Sequence, residues 1–383
     1  MIVRQKILLL IVYVSLAHGI TPLADQITLT PEEQVLFNTY SFDELFARGR
    51  ACKVAGEVTQ AIQYLKPAVL KRPRDWPANW DLGDMYLAQG DFARGLAGFR
   101  FRWQHEQLYK TQLWRGEDLS NKTILVYCQW GFGDTFMYLR YLAELKKLGA
   151  TVICCVQKPL VNIVSYCPFI DRVITSNDTK PAFDYQVPIT YLPEVFNTTI
   201  DTIPHQVPYM FVDDQYIQQW APAGDSKKAL KIGICWQGAL REDAQTANRS
   251  IKLLDLLPVI AIPGVEIYSL QQGYGADQIE DLPKNYHIVT FGENFDKGHG
   301  AFVDTAAVIK NLDLVLTIDT SIAHLAGALG VPVWVMLQYA SEWRFFLNRS
   351  DSPWYPTMRL FRQTQQSDWS PVIQEVVHAL HIN

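Results

Sequence analysis

The stretch LTIDTSIAHLAGALGVPVWVML, residues 316–337, decides how the chain folds. It reads as a buried strand, a small polar knot, an apolar helix, a glycine stop and a second buried strand. Two buried strands joined through a helix form the crossover unit of a parallel sheet. The knot (Asp319, Thr320, Ser321 and His324) falls at the carboxyl end of the first strand, where open α/β sheets bind ligands. A hydroxyl of Thr320 or Ser321 is expected to cap the helix. The free N–H groups of the first turn then make a seat for a phosphate or diphosphate. Asp319 repels phosphate and suits a sugar or ribose hydroxyl, or orients the loop. His324 lies one turn in, on the Thr320 face. An ordinary capped helix carrying a hydrogen-bonded histidine is the plainer alternative.

Outward from this stretch, an α/β series begins at LKIGICWQG (230–238). A helix over 251–261, strands VEIYSL (265–270) and HIVTF (287–291), a helix over 302–311 and strand LDLVLTI (312–318) lead into the knot. The helix of the knot spans 320–329. MRLFRQ (358–363) adds a last strand and 370–381 a closing helix. The loop after the first strand carries Gln237, Arg241, Arg249 and Lys252. Cations there can neutralise a diphosphate leaving group, although solvated loop charges are common.

A first α/β series precedes it. TILVYC (123–128) is a strand, QWGFGD a tight loop, residues 135–149 a helix ending on Gly149, and TVICCV (151–156) the next strand. Weaker strands follow near RVIT and DYQVPI, and 213–230 reads as a linker. Gly131 and Gly133 permit a tight turn. Asp134 falls at a helix start, where the dipole stabilises a carboxylate. A carboxylate there suits an acceptor hydroxyl as general base; a simple N-cap aspartate is the alternative. The two series make two Rossmann-like parallel-sheet domains, with boundaries near 112–215 and 228–383.

Residues 38–110 are helical. Gly49 and Gly56 recur as Gly83 and Gly90, Ala61 matches Gly95, and Leu65 matches Phe99, always 34 positions on. This is the tetratricopeptide period, with predicted helices over 42–54, 58–71, 76–88 and 92–105. Two repeats cannot bury their faces alone and must lean on a neighbour. Residues 1–20 have the shape of a targeting segment: Arg4 and Lys6, then a short apolar run from Ile7 to Ala17. The net charge of −5 gives no case for nucleic acid. Six cysteines form no CxxC or Cys/His cluster, so buried free thiols are expected, without a metal.

Taken together, LVYCQWGFGDTFMYLRYL, CWQG with NRSIKLLDLL, the run 304–337 and EWRFFLNRSDSPWYPTMRLFRQ resemble bacterial tetratricopeptide-repeat glycosyltransferases. These are related to glycosyltransferase family 9, the ADP-heptose:lipopolysaccharide heptosyltransferases. The resemblance covers about residues 42–375. It implies a GT-B fold with a nucleotide-sugar donor on the C-terminal domain and no metal cofactor. Asp134 resembles the catalytic aspartate of a Gly-Asp turn, and Arg249 the cation near the diphosphate. Asp319, Thr320, Ser321 and His324 match the D-T/S-x-x-H donor loop. Trp343 and SPWY (352–355) would lie near the donor. The implied partners are a nucleotide sugar and a protein or glycan acceptor that the helical repeats could recruit. YCQWGFGD departs from the family's usual Gly-Glu-Gln stretch, which bears on the acceptor. Nucleotide sugars are made in the cytosol, and Asn248, in a glycosylation sequon, abuts Arg249. Both favour a cytoplasmic setting over secretion directed by residues 1–20.

Overall fold

The computed structural model describes residues 23–105, 112–221, 229–239 and 248–382. The targeting segment and Arg241 therefore lie outside the described residues. Contacts divide the chain into two compact units. One falls within Met1–Tyr127, Glu144–Val152 and Pro181–Thr202; the other falls within Cys128–Ala143, Ile153–Lys180 and Ile203–Asn383.

The first unit opens with five helices: α1 (Pro31–Thr39), α2 (Phe42–Val54), α3 (Val58–Lys71), α4 (Trp76–Ala88) and α5 (Phe92–His105). Local chemistry sets their starts. Thr30 and Ser41 make capping boxes with Glu33 and Glu44, and Asp75 caps α4. Gly56 and Gly90 take φ of 78° and 84° at equivalent turns, a left-handed conformation that costs glycine nothing. Gly49 faces Ala61 and Leu65, and Gly83 faces Gly95 and Phe99, so the 34-residue spacing read from the sequence is a packing repeat. Lys53 is buried between Asp81 at 2.8 Å and Asp84 at 2.6 Å and joins α2 to α4. The core holds Leu45, Leu65, Ala68, Leu82 and Tyr86. Arg100 pairs with Glu194 and ties α5 to the short helix Leu192–Val195.

Two parallel sheets follow. Strands β1 (Thr123–Tyr127), β2 (Thr151–Cys155), β3 (Arg172–Ile174) and β4 (Tyr185–Pro188) form the first, in the order β3-β2-β1-β4. Strands β5 (Leu230–Cys235), β6 (Val265–Ser269), β7 (Leu314–Ile318), β8 (Val333–Leu337) and β9 (Met358–Arg362) form the second, in the order β6-β5-β7-β8-β9. Within the second sheet Val315 stands opposite Val333 and Ile232 opposite Leu314. All five residues of β7 are buried, as a central parallel strand requires. Ile234, Trp236, Leu316, Ile318 and Phe361 fill the core beneath it. The six cysteines are free thiols, five of them buried. No helix among the described residues is long and apolar enough to cross a membrane.

Four sequence expectations are corrected. The helix expected over 135–149 starts earlier and is broken into α6 (Phe132–Tyr138) and α7 (Arg140–Lys147). The Phe136 and Met137 carbonyls are taken by the Tyr209 hydroxyl at 2.9 Å and by Arg140 Nε at 2.8 Å, which draws acceptors away from the helical ladder at the break. The helix expected over 251–261 is two short turns, Leu253–Leu256 and Leu257–Ile260, because Pro258 has no N–H to donate. HIVTF pairs only at Val289, against the edge of β6, before Gly292 turns the chain at φ 78°. The expected linker carries a helix, Asp214–Gln219, followed by Trp220, whose indole N–H donates to Asp304 at 2.8 Å.

A Cβ on Gly83 would stand 2.6 Å from the Gly95 carbonyl oxygen and 3.1 Å from Gly98 Cα. Both are backbone atoms and cannot rotate away. Gly83→Val should therefore cost about 1–3 kcal/mol through overpacking. Gly298→Ala, at a site with nothing within 4 Å, should stay within about 0.5 kcal/mol. Thermal denaturation of the two variants checks this; equal midpoints would refute the close helix contact.

Candidate active site

The second unit contains a cleft of about 840 Å³, lined in part by Gly131, Gly133, Asp134, Gln237, Arg249, Asp319, Thr320, Ser321 and His324. Nine of the twelve candidate residues from the sequence thus meet in one place. Its size is that of a small-molecule site.

On one wall, β7 ends at the knot and helix α9 begins; with α8 (Val303–Lys310) preceding β7, α9 spans Ser321–Ala328. Thr320 is the N-cap residue, extended at φ −140° and ψ 173°, but no side chain caps the helix. This corrects the expected hydroxyl cap. Thr320 Oγ1 instead lies 3.2 Å from Thr317 Oγ1 and 3.9 Å from Cys235 Sγ. The first turn therefore faces the cleft without a cap from Thr320, and its N–H groups suit an anion.

Arg249 reaches the same cleft past Gly238. A Cβ on Gly238 would come within 2.5 Å of Arg249 Nε, so only glycine leaves the guanidinium its path. Arg249 Nε is buried and has no hydrogen-bond partner. Gln271 braces the loop by accepting from the Trp236 and Gln237 amides at 3.1 and 2.9 Å. Gln237 uses its own amide on the Ile251 carbonyl at 2.8 Å, so its side chain holds the Arg249 segment in place.

The opposite wall is the turn before α6. Trp130 takes φ 71°, a left-handed conformation that strains a bulky residue, and Phe302 across the cleft takes φ 69°. Asp134 occupies the third helical position. Its Oδ2 accepts from the Gly131 amide at 3.0 Å, and its Oδ1 accepts from Arg344 Nη1 at 2.8 Å. Burial opposes the Arg344 charge, but Asp134, Glu342 and Asp319 hold its pKa above the usual arginine value. α6 packs against α9, and at Gly133 a Cβ would stand 2.9 Å from His324 Cδ2 and 3.4 Å from Ser321 Cα.

Two candidates fall elsewhere. Lys252 is exposed at the cap of a short helical turn and does not line the cleft. Trp343 is buried in an aromatic cluster with Phe346 and Trp354. Arg241 is outside the described residues. In the SPWY stretch, Tyr355 places its hydroxyl 3.0 Å from His324 Nδ1, behind the cleft wall. The sequence reading missed Arg344, Glu342, Lys297, Asp296 and Tyr274, which also line the cleft. Arg344 directly follows the Trp343 that the reading selected, and no local spacing reveals a partner 210 positions away.

His324 is buried, and burial first, then Arg344 and Arg140, push its pKa well below the usual histidine value. The folded protein keeps this ring neutral, whereas the unfolded chain protonates it below about pH 6.5. Stability present above that pH is therefore lost as pH falls, by up to about 1.4 kcal/mol per pH unit for one proton. Denaturant unfolding between pH 6.5 and 5 should give a shallower pH slope for His324→Asn than for the native chain. Equal slopes would contradict a buried neutral His324.

No family model matches the chain. Among curated proteins it is similar to Protein FlbA of Caulobacter vibrioides, at 25% identity over 287 residues, which cover 70% of this chain and 48% of that protein. The chain thus spans about half the length of the curated relative it matches. Among solved structures it is similar to a family 9 glycosyl transferase from Veillonella parvula, at 14% identity and a TM-score of 0.47, covering 65% of this chain and 88% of that one. It is also similar to the ADP-heptose lps heptosyltransferase II of E. coli, at 12% identity and a TM-score of 0.46, covering 68% of this chain and 98% of that one.

Proposed function

We propose that this protein is a GT-B glycosyltransferase, related to the heptosyltransferases of family 9, that moves a sugar from a nucleoside-diphosphate donor to a hydroxyl. The observation that carries the reading is the meeting, in one cleft, of a carboxylate at a helix start, Asp134, with an uncapped helix N-terminus at Ser321 and the unpartnered Arg249 Nε. The resemblance of the knot to a donor loop supports it.

The acceptor oxygen attacks the anomeric carbon and gives its proton to Asp134. The bond between that carbon and the β-phosphate oxygen breaks, and the nucleoside diphosphate leaves with the bonding pair. Asp134 has an oxygen on Gly131 and an oxygen on Arg344, yet a carboxylate offers about four acceptor positions. Room therefore remains for a hydroxyl. The leaving diphosphate gains charge, which Arg249 and the α9 amides stabilise, with Lys297 at the rim. Neutralisation by these groups makes the reaction independent of a metal. The acceptor is a protein or a glycan, and the 34-residue helical hairpins, as tetratricopeptide-type repeats, serve to recruit it.

A thermal-shift screen with ADP-, GDP-, UDP- and CMP-sugars identifies the donor, since a ligand that binds the folded state raises its melting temperature with dose. With that donor, Asp134→Asn should lower turnover about a hundred- to ten-thousand-fold and leave donor affinity nearly intact. Full turnover in that variant would remove Asp134 from the chemistry. Arg249→Ala should weaken a nucleoside diphosphate more than a nucleoside monophosphate in calorimetric titration. Equal losses would separate Arg249 from the diphosphate.

A further inference from the structure

Behind the knot lies a polar chain in an otherwise apolar interior. Arg140 is 2% exposed, and among the described residues its hydrogen-bond partners are carbonyls and a phenol, with no carboxylate. It donates to the carbonyls of Met137 at 2.8 Å, Pro204 at 3.0 Å and Trp354, and to the Tyr209 hydroxyl at 2.9 Å. A guanidinium has only donors, so the Tyr209 oxygen accepts. Tyr209 then has one hydrogen to place. The Phe136 carbonyl at 2.9 Å is a better acceptor position than the Tyr355 hydroxyl at 3.4 Å. The Tyr355 hydroxyl in turn lies 3.0 Å from His324 Nδ1.

Two arrangements of that last bond are open. If Nδ1–H donates, the buried Tyr355 hydrogen loses this acceptor and Nε2 becomes a bare acceptor. If Tyr355 donates, its hydrogen is used, and the ring proton moves to Nε2. The second uses the Tyr355 hydrogen and leaves Nε2–H as a donor with no protein partner, open to an acceptor that enters the cleft. The Arg140 guanidinium, 4.5 Å from the Tyr355 ring centre, adds to the field that keeps His324 neutral. His324 Nε2 is buried without a hydrogen-bond partner, although the residue lines the cleft. It faces the space that a side chain at 133 would fill: a Cβ there would stand 3.7 Å from Nε2.

We propose that Arg140, Tyr209 and Tyr355 are positioning residues that hold His324 as its neutral Nε2–H tautomer, a fixed donor to an oxygen of the sugar being transferred. This rests on the nucleotide-sugar reading of the cleft. The choice of sugar over diphosphate follows from placement and charge. Gly133 adjoins His324 and precedes Asp134, the base that must reach the acceptor hydroxyl as it attacks the anomeric carbon. The cations Arg249 and Lys297 suit phosphate oxygens, while a neutral N–H suits a sugar hydroxyl or ring oxygen.

The test uses full-length protein labelled with ¹⁵N in its histidine rings, with the His324 signals assigned by their loss in His324→Gln. The native spectrum should show a protonated Nε2 and a bare Nδ1. Tyr355→Phe should shift His324 toward the Nδ1–H form. It should also weaken nucleotide-sugar binding about tenfold, with nucleoside diphosphate binding changed less than about twofold. A native Nδ1–H tautomer overturns the relay with no variant needed. So does a Tyr355→Phe protein with unchanged tautomer and affinities. Equal losses for both ligands overturn the assignment to the sugar. A native chain with the Nε2–H signature that binds no nucleotide sugar overturns the donor reading and the sugar assignment, while the relay stands.

Discussion

The close approach of α6 to α9 at Gly133 is the contact on which the site depends. With 2.9 Å between an imagined Cβ and the His324 ring, any larger residue would push the Asp134 turn away from α9. The contact sets the separation between the Asp134 carboxylate and the start of α9. Trp130, three residues before Gly133, is held left-handed at φ 71°, a conformation that its neighbours must enforce.

Charge in the cleft is arranged in layers. Arg344 is committed to carboxylates, with Asp134 at 2.8 Å and Glu342 at 3.9 Å. Arg249 has an unpartnered buried nitrogen that awaits an acceptor. Arg140 is buried among carbonyls and a phenol and acts from behind the wall, through its field on His324. The three arginines thus differ in their partners: carboxylates for Arg344, none at Nε for Arg249, and carbonyls and a phenol for Arg140. A lysine could not replace Arg140, which makes four contacts in different directions from one planar group.

Much of this was legible in the sequence because it depends on local patterns. The four helices of the repeats were bounded correctly from glycine spacing and apolar periodicity, and the knot was found from the switch between a buried strand and a helix. The failures have physical causes. Pro258 lies inside an apolar run whose helical period hides it. The break between α6 and α7 depends on Tyr209, which lies far along the chain. Lys252 looked equivalent to Arg249 by charge, but it falls at a turn whose side chain points to solvent. Arg344 and Arg140 act through partners 210 and 69 positions away, and no sequence window holds both ends of such pairs.

In the proposed complex a nucleoside diphosphate sits between the start of α9 and Arg249. A crystal structure of the native protein with a nucleoside diphosphate tests it most directly. Phosphate oxygens are expected within hydrogen-bond distance of the Ser321 and Ile322 amides and of the Arg249 guanidinium, with Asp134 free of phosphate contact. Phosphates bound away from the α9 N-terminus, or held by Lys252 instead of Arg249, would contradict it.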